Sequence, residues 1–396
     1  MCRLQWQPAS TVSQATETQI NYAFRSAEQG DLNDAILNRQ RDTVVDLSRF
    51  ADYNLRYFTA IEDGPRGYRW FVGRGCHNCH SLRHDPDYVP GIDWLATFAV
   101  KPSWGQSGED DHVQEIVHDF SMGHNLAVVR EDGGHMIGLG GQLYGKLYNS
   151  HIVGPGYTSD KELRDGIRIL RADSFQDVLN GAWLHPPHDD STKFASRSFT
   201  STEDKRCCFD SVVSLVFHRG RWLVFSRVNM KYWGGRYVQV AQSDNEEVRS
   251  GYSRSTSIDI AGYDKLGDGN IYCGEITKHP LDSDMLLGMF PVNAGIPGHA
   301  NGNGDTYIGM AFSCDGFSWS ELVHLVKSKG KEGRAYDMPV NGVFLQGGVV
   351  TFYVHRDVEH IAPTYATTAR IEEFTFRMDV FAALTRRVKE SDICRS

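Results

Sequence analysis

The sequence lacks an excess of positive charge and has no long apolar segment. It contains 41 Lys plus Arg against 50 Asp plus Glu, a formal charge of −9, so no basic surface is expected to attract a nucleic-acid backbone. The longest apolar run, Met285 to Val292, contains Gly288 and Pro291 and is far shorter than the roughly 20 residues that cross a bilayer. We therefore expect neither a nucleic-acid partner nor a membrane span.

Cysteine is also scarce. Eight cysteines in 396 residues are too few for a disulfide scaffold, so free thiols are the default expectation. The first residues, MCRLQWQPASTVSQ, include no apolar stretch of the kind found in a secretory signal. These two observations predict a cytoplasmic protein.

What the sequence does contain is glycine, with 39 residues, and an aromatic content of 11%, a combination that favours strands and tight turns over long helices. Asp173, Asp244 and Asp315 each follow a strand-like run, and consecutive members lie 71 residues apart. The same step backwards reaches an apolar run ending near Trp104, and a weaker match, seven residues early, lies at Asp379. The pattern predicts five modules of ~65–70 residues, the size of a propeller blade.

Paired β-rich segments separated by turn residues support these modules. The segments 212–217 and 222–227 flank Arg219 and Gly220, and the segments 343–346 and 349–355 flank Gly347 and Gly348. The predicted fold is therefore an all-β, five-bladed β-propeller over residues 55–396. A β-sandwich whose turns recur by chance is the alternative.

The beginning of the chain has a different pattern. Between Thr18 and Phe50 the apolar residues are scattered among Gln, Asp and Arg, which is typical of one or two short amphipathic helices. We predict a helical extension over residues 1–54, packed on the propeller or used for oligomerisation.

Three carboxylates fall on the segments predicted to be the first strands of successive modules. The first strand of each blade lines the central channel, so Asp210, Glu275 and Asp337 are the predicted catalytic residues. Strand alternation places Glu275 on the same face as Ile271 and Cys273, and apolar neighbours would raise its pKa, as a general acid requires. Two such groups are the minimum for cleaving a glycosidic bond. The alternative is that each carboxylate caps a turn or pairs with an arginine.

The S-x-D-G-x-x-W segment from Ser313 to Trp319, the turn carboxylates Asp173 and Asp244, and the five modules together resemble the five-bladed propeller clan of arabinanases, fructofuranosidases, levansucrases and mannoside phosphorylases. The resemblance covers about residues 60–380. It implies a carbohydrate substrate and one acidic residue on each of three successive inner strands, acting as base or nucleophile, as pKa modulator and as general acid.

By blade order, the resemblance assigns the middle role to Asp210 and the acid role to Glu275. The first acidic position departs from the clan's pattern, because the chain has His124 and Asn125 there. This departure leaves room for phosphorolysis, in which phosphate replaces water, and for a non-catalytic propeller that binds a glycan or a protein. Besides His124 and Asn125, the predicted ligand-binding residues are Arg227, Trp233, Arg236, His299, Arg334 and His355.

One motif indicates a different class. Cys76, Cys79 and His80 have the C-x-x-C-H spacing of c-type haem attachment, and with His84 or Asp85 they could also ligate zinc. A metal-free pair of thiols is the expectation we prefer, so no cofactor is predicted.

Overall fold

The computed structural model describes an all-β chain with three short helices. The described residues are 32–48, 55–63, 68–76, 93–100, 113–117, 127–131, 133–141, 143–144, 167–180, 193–194, 208–209, 212–229, 236–248, 252–253, 255–263, 270–293, 306–328, 335–359 and 369–395. Most of them lie in strands, as the glycine-rich and aromatic-rich composition predicts.

Five of the six sheets in the described residues have four or more strands. The first strand, β1 (Leu37–Asp46), pairs with the end of the chain and is described with the last sheet. Sheets 1 and 2 follow it. Sheet 1 contains β2 (Arg56–Asp63), β3 (Tyr68–Cys76), β4 (Asp93–Val100) and β5 (Val113–Val117). Sheet 2 contains β6 (Ala127–Arg130), β7 (Met136–Gly141), β9 (Ile167–Ala172) and β10 (Lys193–Phe194). A two-stranded ladder joins β8 (Leu143–Tyr144) to β11 (Cys208–Phe209).

Sheets 3 and 4 hold the middle of the chain. Sheet 3 contains β12 (Ser214–His218), β13 (Arg221–Asn229), β14 (Arg236–Gln242) and β15 (Thr256–Ser257). Sheet 4 contains β16 (Asp259–Ile260), β17 (Asn270–Ile271), β18 (Glu275–Lys278), β19 (Leu286–Asn293), β20 (Tyr307–Ser313), β21 (Ser318–Trp319) and β22 (Val323–Lys327). The predicted hairpin at residues 212–227 is confirmed, and both turn residues, Arg219 and Gly220, have positive φ (48° and 74°).

Sheet 5 joins the two ends of the described chain. It contains β23 (Ala335–Pro339), β24 (Phe344–Gln346), β25 (Val349–Glu359), β26 (Arg370–Phe376) and β1. The helix predicted at the front of the chain is therefore wrong for residues 37–46, since β1 pairs with β26 in antiparallel register from Leu37 to Asp46. Buried Val44 and Val45 occupy this strand, and pairing with a sheet edge outweighs the weak helical pattern. Residues 1–31 lie outside the described residues.

We count the strands of each sheet outward along the pairing order from β2, β6, β12, β18 and β23, the first strands of sheets 1 to 5. The first strands of sheets 1, 2, 3 and 4 contact one another in chain order, and β23 contacts β19 and β20 of sheet 4. The ring closes where Asn341, which follows β23, accepts a hydrogen bond from the Ala60 amide of β2 and donates one to the Phe58 carbonyl. This circular order of sheets is a β-propeller.

Separate apolar clusters fill the spaces between consecutive sheets, including the space between the last sheet and the first. Representative buried pairs, from the space between sheets 1 and 2 to the space between sheets 5 and 1, are Val72 and Val128, Ile137 and Val224, Phe225 and Phe290, Met310 and Phe352, and Phe71 and Tyr353. In a layered β-sandwich the last sheet does not pack back on the first through a further apolar cluster. The packing therefore excludes the β-sandwich alternative for the described residues.

The turn repeat marks the end of the third strand of a sheet. Asp173, Asp244 and Asp315 follow β9, β14 and β20, the third strands of sheets 2, 3 and 4. In the best copy, Asp315 Oδ1 accepts hydrogen bonds from the amides of Phe317 (2.7 Å) and Ser318 (2.8 Å). The weak match at Asp379 is different, because a helix begins there.

Three helices are present in the described residues: α1 (Phe175–Asn180), α2 (Met378–Lys389) and α3 (Asp392–Arg395). None is long and apolar enough to span a membrane. A disulfide joins Cys394 of α3 to Cys314 in the turn after β20. The expectation of free thiols is therefore wrong for these two cysteines, which come together only because α2 folds back on sheet 4.

Candidate functional site

Glu275 is a buried acid without a partner. It is the first residue of β18, only 1% exposed, and neither carboxyl oxygen has a hydrogen-bond partner in the described part of the chain. Burial raises its pKa well above the ordinary value. Burial therefore favours the neutral, protonated form of this side chain.

Strand pairing explains where this side chain points. Glu275 is opposite Met289 on β19, and Met289 belongs to the cluster between sheets 4 and 5. Directly opposed residues of an antiparallel pair share a face, so Glu275 also faces sheet 5. The backbone around it is fixed by Ser214 of β12, whose hydroxyl donates to the Gly274 carbonyl (3.0 Å) and accepts from the Ile276 amide (2.9 Å).

Asp337, in contrast, is held by partners. It lies at an irregularity in β23, where its Oδ1 accepts the Asp357 amide at 3.0 Å and its Oδ2 is 3.1 Å from Arg356 Nε. Burial raises its pKa to about 6, although the Arg356 charge opposes the rise. The predicted alternative of pairing with an arginine is confirmed for this residue.

The ion pair at Asp337 belongs to a network within sheet 5. Arg356 Nη1 is 3.7 Å from Glu372, and Arg370 donates to both Glu372 and Asp357. Asp357 has a positive φ of 59°, and its contact with Arg370 and the hydrogen bond that its amide donates to Asp337 Oδ1 hold this conformation in place.

Glu275 and this network face the same space. Val354 belongs to the cluster between sheets 4 and 5, and Arg356 lies two residues further on the same face of β25. Within the described residues, neither a hydrogen bond nor an ion pair joins Glu275 to Asp337. The two acids therefore lie on facing sheets with different surroundings: one is unpaired and the other is paired.

A second group of side chains meets near the centre of the ring. The Tyr57 hydroxyl of β2 is 2.9 Å from the Tyr272 hydroxyl, which comes three residues before Glu275. The guanidinium carbons of Arg227 and Arg236 each lie 5.0 Å from the centroid of the Tyr272 ring. We call these four residues the tyrosine–arginine cluster. Sheets 1 and 4 are not consecutive in the ring, so the tyrosine contact reaches across its centre.

Two of the predicted ligand-binding residues, Arg227 and Arg236, are thus brought together. His355 is not part of this group: it is 1% exposed, and its ring packs edge-on against Phe58 (5.1 Å) on the face of sheet 5 that packs on sheet 1. The remaining predicted site residues lie outside the described residues: His124, Asn125, Asp210, Trp233, His299 and Arg334.

The possible metal motif also lies largely outside the described residues. Cys76 ends β3, while Cys79 and His80 are not described. Among the described residues, no group of three or more His, Cys, Asp or Glu side chains could hold a metal ion.

Sequence reasoning missed four residues of this region: Tyr57, Tyr272, Arg356 and Glu372. The sequence could have indicated Tyr272, because this residue belongs to the same predicted first-strand segment as Glu275. Arg356 and Glu372 lie on the second and third strands of sheet 5, and no spacing in the sequence relates them to Asp337.

No family model matches the sequence, and no curated protein matches it. The chain is similar to solved structures of low sequence identity, including the following three. CoXyl43, a GH43 β-xylosidase/α-arabinofuranosidase from a compost microbial metagenome, is 9% identical over 85% of this chain and 94% of that chain, with a TM-score of 0.48. Zg3597, a family 117 glycoside hydrolase from the marine bacterium Zobellia galactanivorans, is 11% identical over 86% and 90%, with a TM-score of 0.44. An N-acetylgalactosamine deacetylase from F. plautii is 11% identical over 88% and 97%, with a TM-score of 0.40. A propeller hosts many reactions, so the reaction depends on the residues at the site.

Proposed function

We propose that the chain is a five-bladed propeller that cleaves or transfers a glycosidic linkage, with sheets 1–5 as its blades. The observation that carries this proposal is the burial of Glu275 on a first strand without a hydrogen-bond partner among the described residues, facing a space that also holds Asp337. Within an apolar surrounding, such a group keeps its proton at neutral pH and donates it when a leaving oxygen approaches.

We assign the roles of the two described acids from their surroundings, because burial without a partner favours the protonated form and the Arg356 charge favours the ionised form. Glu275 stays protonated and is the proposed general acid, giving its proton to the leaving oxygen as the bond from the anomeric carbon to that oxygen breaks. Asp337, with a pKa of about 6, is mostly ionised at pH 7 and is the proposed base, accepting a proton from the water that attacks the anomeric carbon. Asp210 stays a proposed third acid, on the resemblance alone.

A second candidate function is a non-catalytic propeller that binds a glycan. The burial of the acids favours it, since Glu275 and Asp337 are only 1% and 2% exposed, and a general acid must contact the substrate. The ion pair of Asp337 with Arg356 also serves a structural role without any reaction.

Turnover of aryl-glycosides and oligosaccharides, with and without phosphate, separates the two candidates. We expect Glu275→Gln to lower kcat by about 100-fold to 10,000-fold and Asp337→Asn to give a comparable loss, because each removes one half of the proton transfer. The exposed Glu246→Gln serves as the matched control and keeps full activity. Saturable sugar binding without turnover of any substrate would establish the binding propeller instead.

A further inference from the structure

The tyrosine–arginine cluster contains a partly buried guanidinium group, that of Arg236, for which no ion pair is found among the described residues. Arg236 Nε and Nη1 are both buried, and neither has a hydrogen-bond partner among the described residues. The Tyr272 ring is the contact made by its guanidinium. A guanidinium does not lose its proton in a protein, so its charge persists.

A second guanidinium lies beside the first. Arg227 pairs with Val238 across β13 and β14, and Arg236 is two residues from Val238, so the register places both arginines on one face of sheet 3 as diagonal neighbours. Both guanidinium carbons are 5.0 Å from the same ring centroid, which keeps them within 10.0 Å of each other. The Arg227 charge, on a residue only 6% exposed, therefore adds to the attraction of Arg236 for a bound negative group.

The position of the cluster suits a ligand. Tyr57 belongs to β2 of sheet 1, and Tyr272 lies between β17 and β18 of sheet 4; because these sheets are not neighbours, the hydroxyl contact marks the axial region that first strands line. Tyr272 is also linked to the proposed acid through the chain, since only Cys273 and Gly274 separate it from Glu275. A ligand held by the arginines therefore lies beside Tyr272, which is only three positions from the proposed acid Glu275 in the chain.

We infer that Arg236, together with Arg227 and the two tyrosine hydroxyls, binds an oxyanion. Planar guanidinium groups match the oxygen pairs of carboxylate, sulfate and phosphate. In the proposed sugar site, this oxyanion is either an acidic substituent of the saccharide or free phosphate. The claim that this oxyanion lies in a sugar site rests on the proposed function. The claim that an oxyanion binds to the cluster does not.

Calorimetric titration of the full-length chain at low ionic strength tests the inference without requiring turnover. The probes are a disaccharide containing a uronic acid, its neutral reduced counterpart, inorganic phosphate and sulfate. We expect saturable binding of the uronic-acid disaccharide or of phosphate, and at least tenfold weaker binding of the neutral disaccharide. Tighter binding of the uronic-acid disaccharide than of phosphate identifies the saccharide as the source of the oxyanion, and the reverse order identifies free phosphate.

Three variants complete the test. Arg236→Gln is expected to weaken oxyanion binding at least tenfold, Arg236→Lys to retain part of it, and the exposed, ion-paired Arg171→Gln to leave it unchanged. Circular dichroism checks that each variant is folded. Absence of saturable binding for all anionic probes, or equal binding by wild type and a folded Arg236→Gln, overturns the inference. If oxyanion binding depends on Arg236 while no glycoside is turned over, the catalytic proposal fails and the oxyanion site stands.

Discussion

Buried ionisable side chains lie at both ends of strand β18, and they differ in whether they have hydrogen-bond partners. At its start, Glu275 has no partner among the described residues. Directly after its end, His279 is 3% exposed and fully paired: Nδ1 accepts the Leu281 amide (3.2 Å), and Nε2 lies 3.0 Å from Thr385 Oγ1. The Thr385 hydroxyl donates to the Phe381 carbonyl, so it accepts the proton of Nε2.

The comparison shows that burial alone does not identify a candidate functional residue, because both side chains are buried and only their pairing differs. His279 is stacked on Phe381 of α2 (centroids 5.1 Å apart), and its Nε2 contact with Thr385 also joins sheet 4 to that helix, while Nδ1 accepts the Leu281 amide in the local turn. Buried polar groups are nearly always paired in this way. Among the described residues, Glu275 is an exception to this rule at the inner edge of the same sheet, and this lack of a partner is the reason that we propose a functional role for it.

The largest effect is expected where the C-terminal segment is tied covalently to sheet 4. Cys314 and Cys394 close a loop with a sequence separation of 80 residues, and by the chain-entropy relation such a cross-link contributes about 4.5 kcal/mol. Cys394→Ser keeps the buried partner and is expected to lower the free energy of unfolding by about that amount, as measured by urea unfolding.

A reducing agent provides the control for this variant. Under reducing conditions the wild type and Cys394→Ser should have the same midpoint. A difference that persists there would show that Cys394 acts through packing rather than through the disulfide, and the His279 contacts would then be the main tie between α2 and the sheet.

The sequence was sufficient for the periodic part of the fold. Asp173, Asp244 and Asp315 recur because each ends the third strand of a sheet, and turn chemistry is local enough to be read from neighbouring residues. The same argument explains the correct hairpin at Arg219 and Gly220.

What the sequence could not provide were the long-range pairings. β1 was mistaken for part of a helix because its partner, β26, lies more than 300 residues away along the chain. Asp337 was correctly placed on a first strand, but its ion pair with Arg356 depends on an irregularity in β23 that no local pattern encodes. The pairing of Cys314 with Cys394 was missed for the same reason.

The second prediction concerns the paired end of β18. Burial lowers the pKa of His279 to about 4, from an ordinary value of 6.5. Above pH 6.5 the histidine is neutral in both the folded and unfolded states. As the pH falls towards 4, only the unfolded state gains the proton, so up to about 3 kcal/mol of stability is lost across this range.

His279→Phe keeps a ring against Phe381 but cannot titrate. Urea unfolding between pH 4 and 7 should show a steeper loss for the wild type than for this variant. His218, whose pKa burial also lowers, contributes equally to both proteins and does not affect the difference. Parallel stability curves would mean that His279 is protonated in the folded state, contrary to the hydrogen bonds that it makes.

The third prediction concerns the unpaired end and has the opposite sign. Because burial raises the pKa of Glu275, the unfolded state ionises first as the pH rises above the ordinary glutamate value, and stability falls by up to about 1.4 kcal/mol per pH unit until the folded carboxyl also ionises. Glu275→Gln retains the shape and removes this ionisation, so its stability should decline less than that of the wild type between pH 5 and 8.

Asp337 titrates in both proteins, and the exposed Glu246→Gln should follow the wild-type curve. An equal decline for wild type and Glu275→Gln would mean that Glu275 is charged when folded, which removes the basis for its role as an acid. A smaller decline for Glu275→Gln than for the wild type would mean that Glu275 keeps its proton in the folded state while His279, at the other end of β18, loses its own. Glu275 would then be the residue of this pair that has a proton to donate.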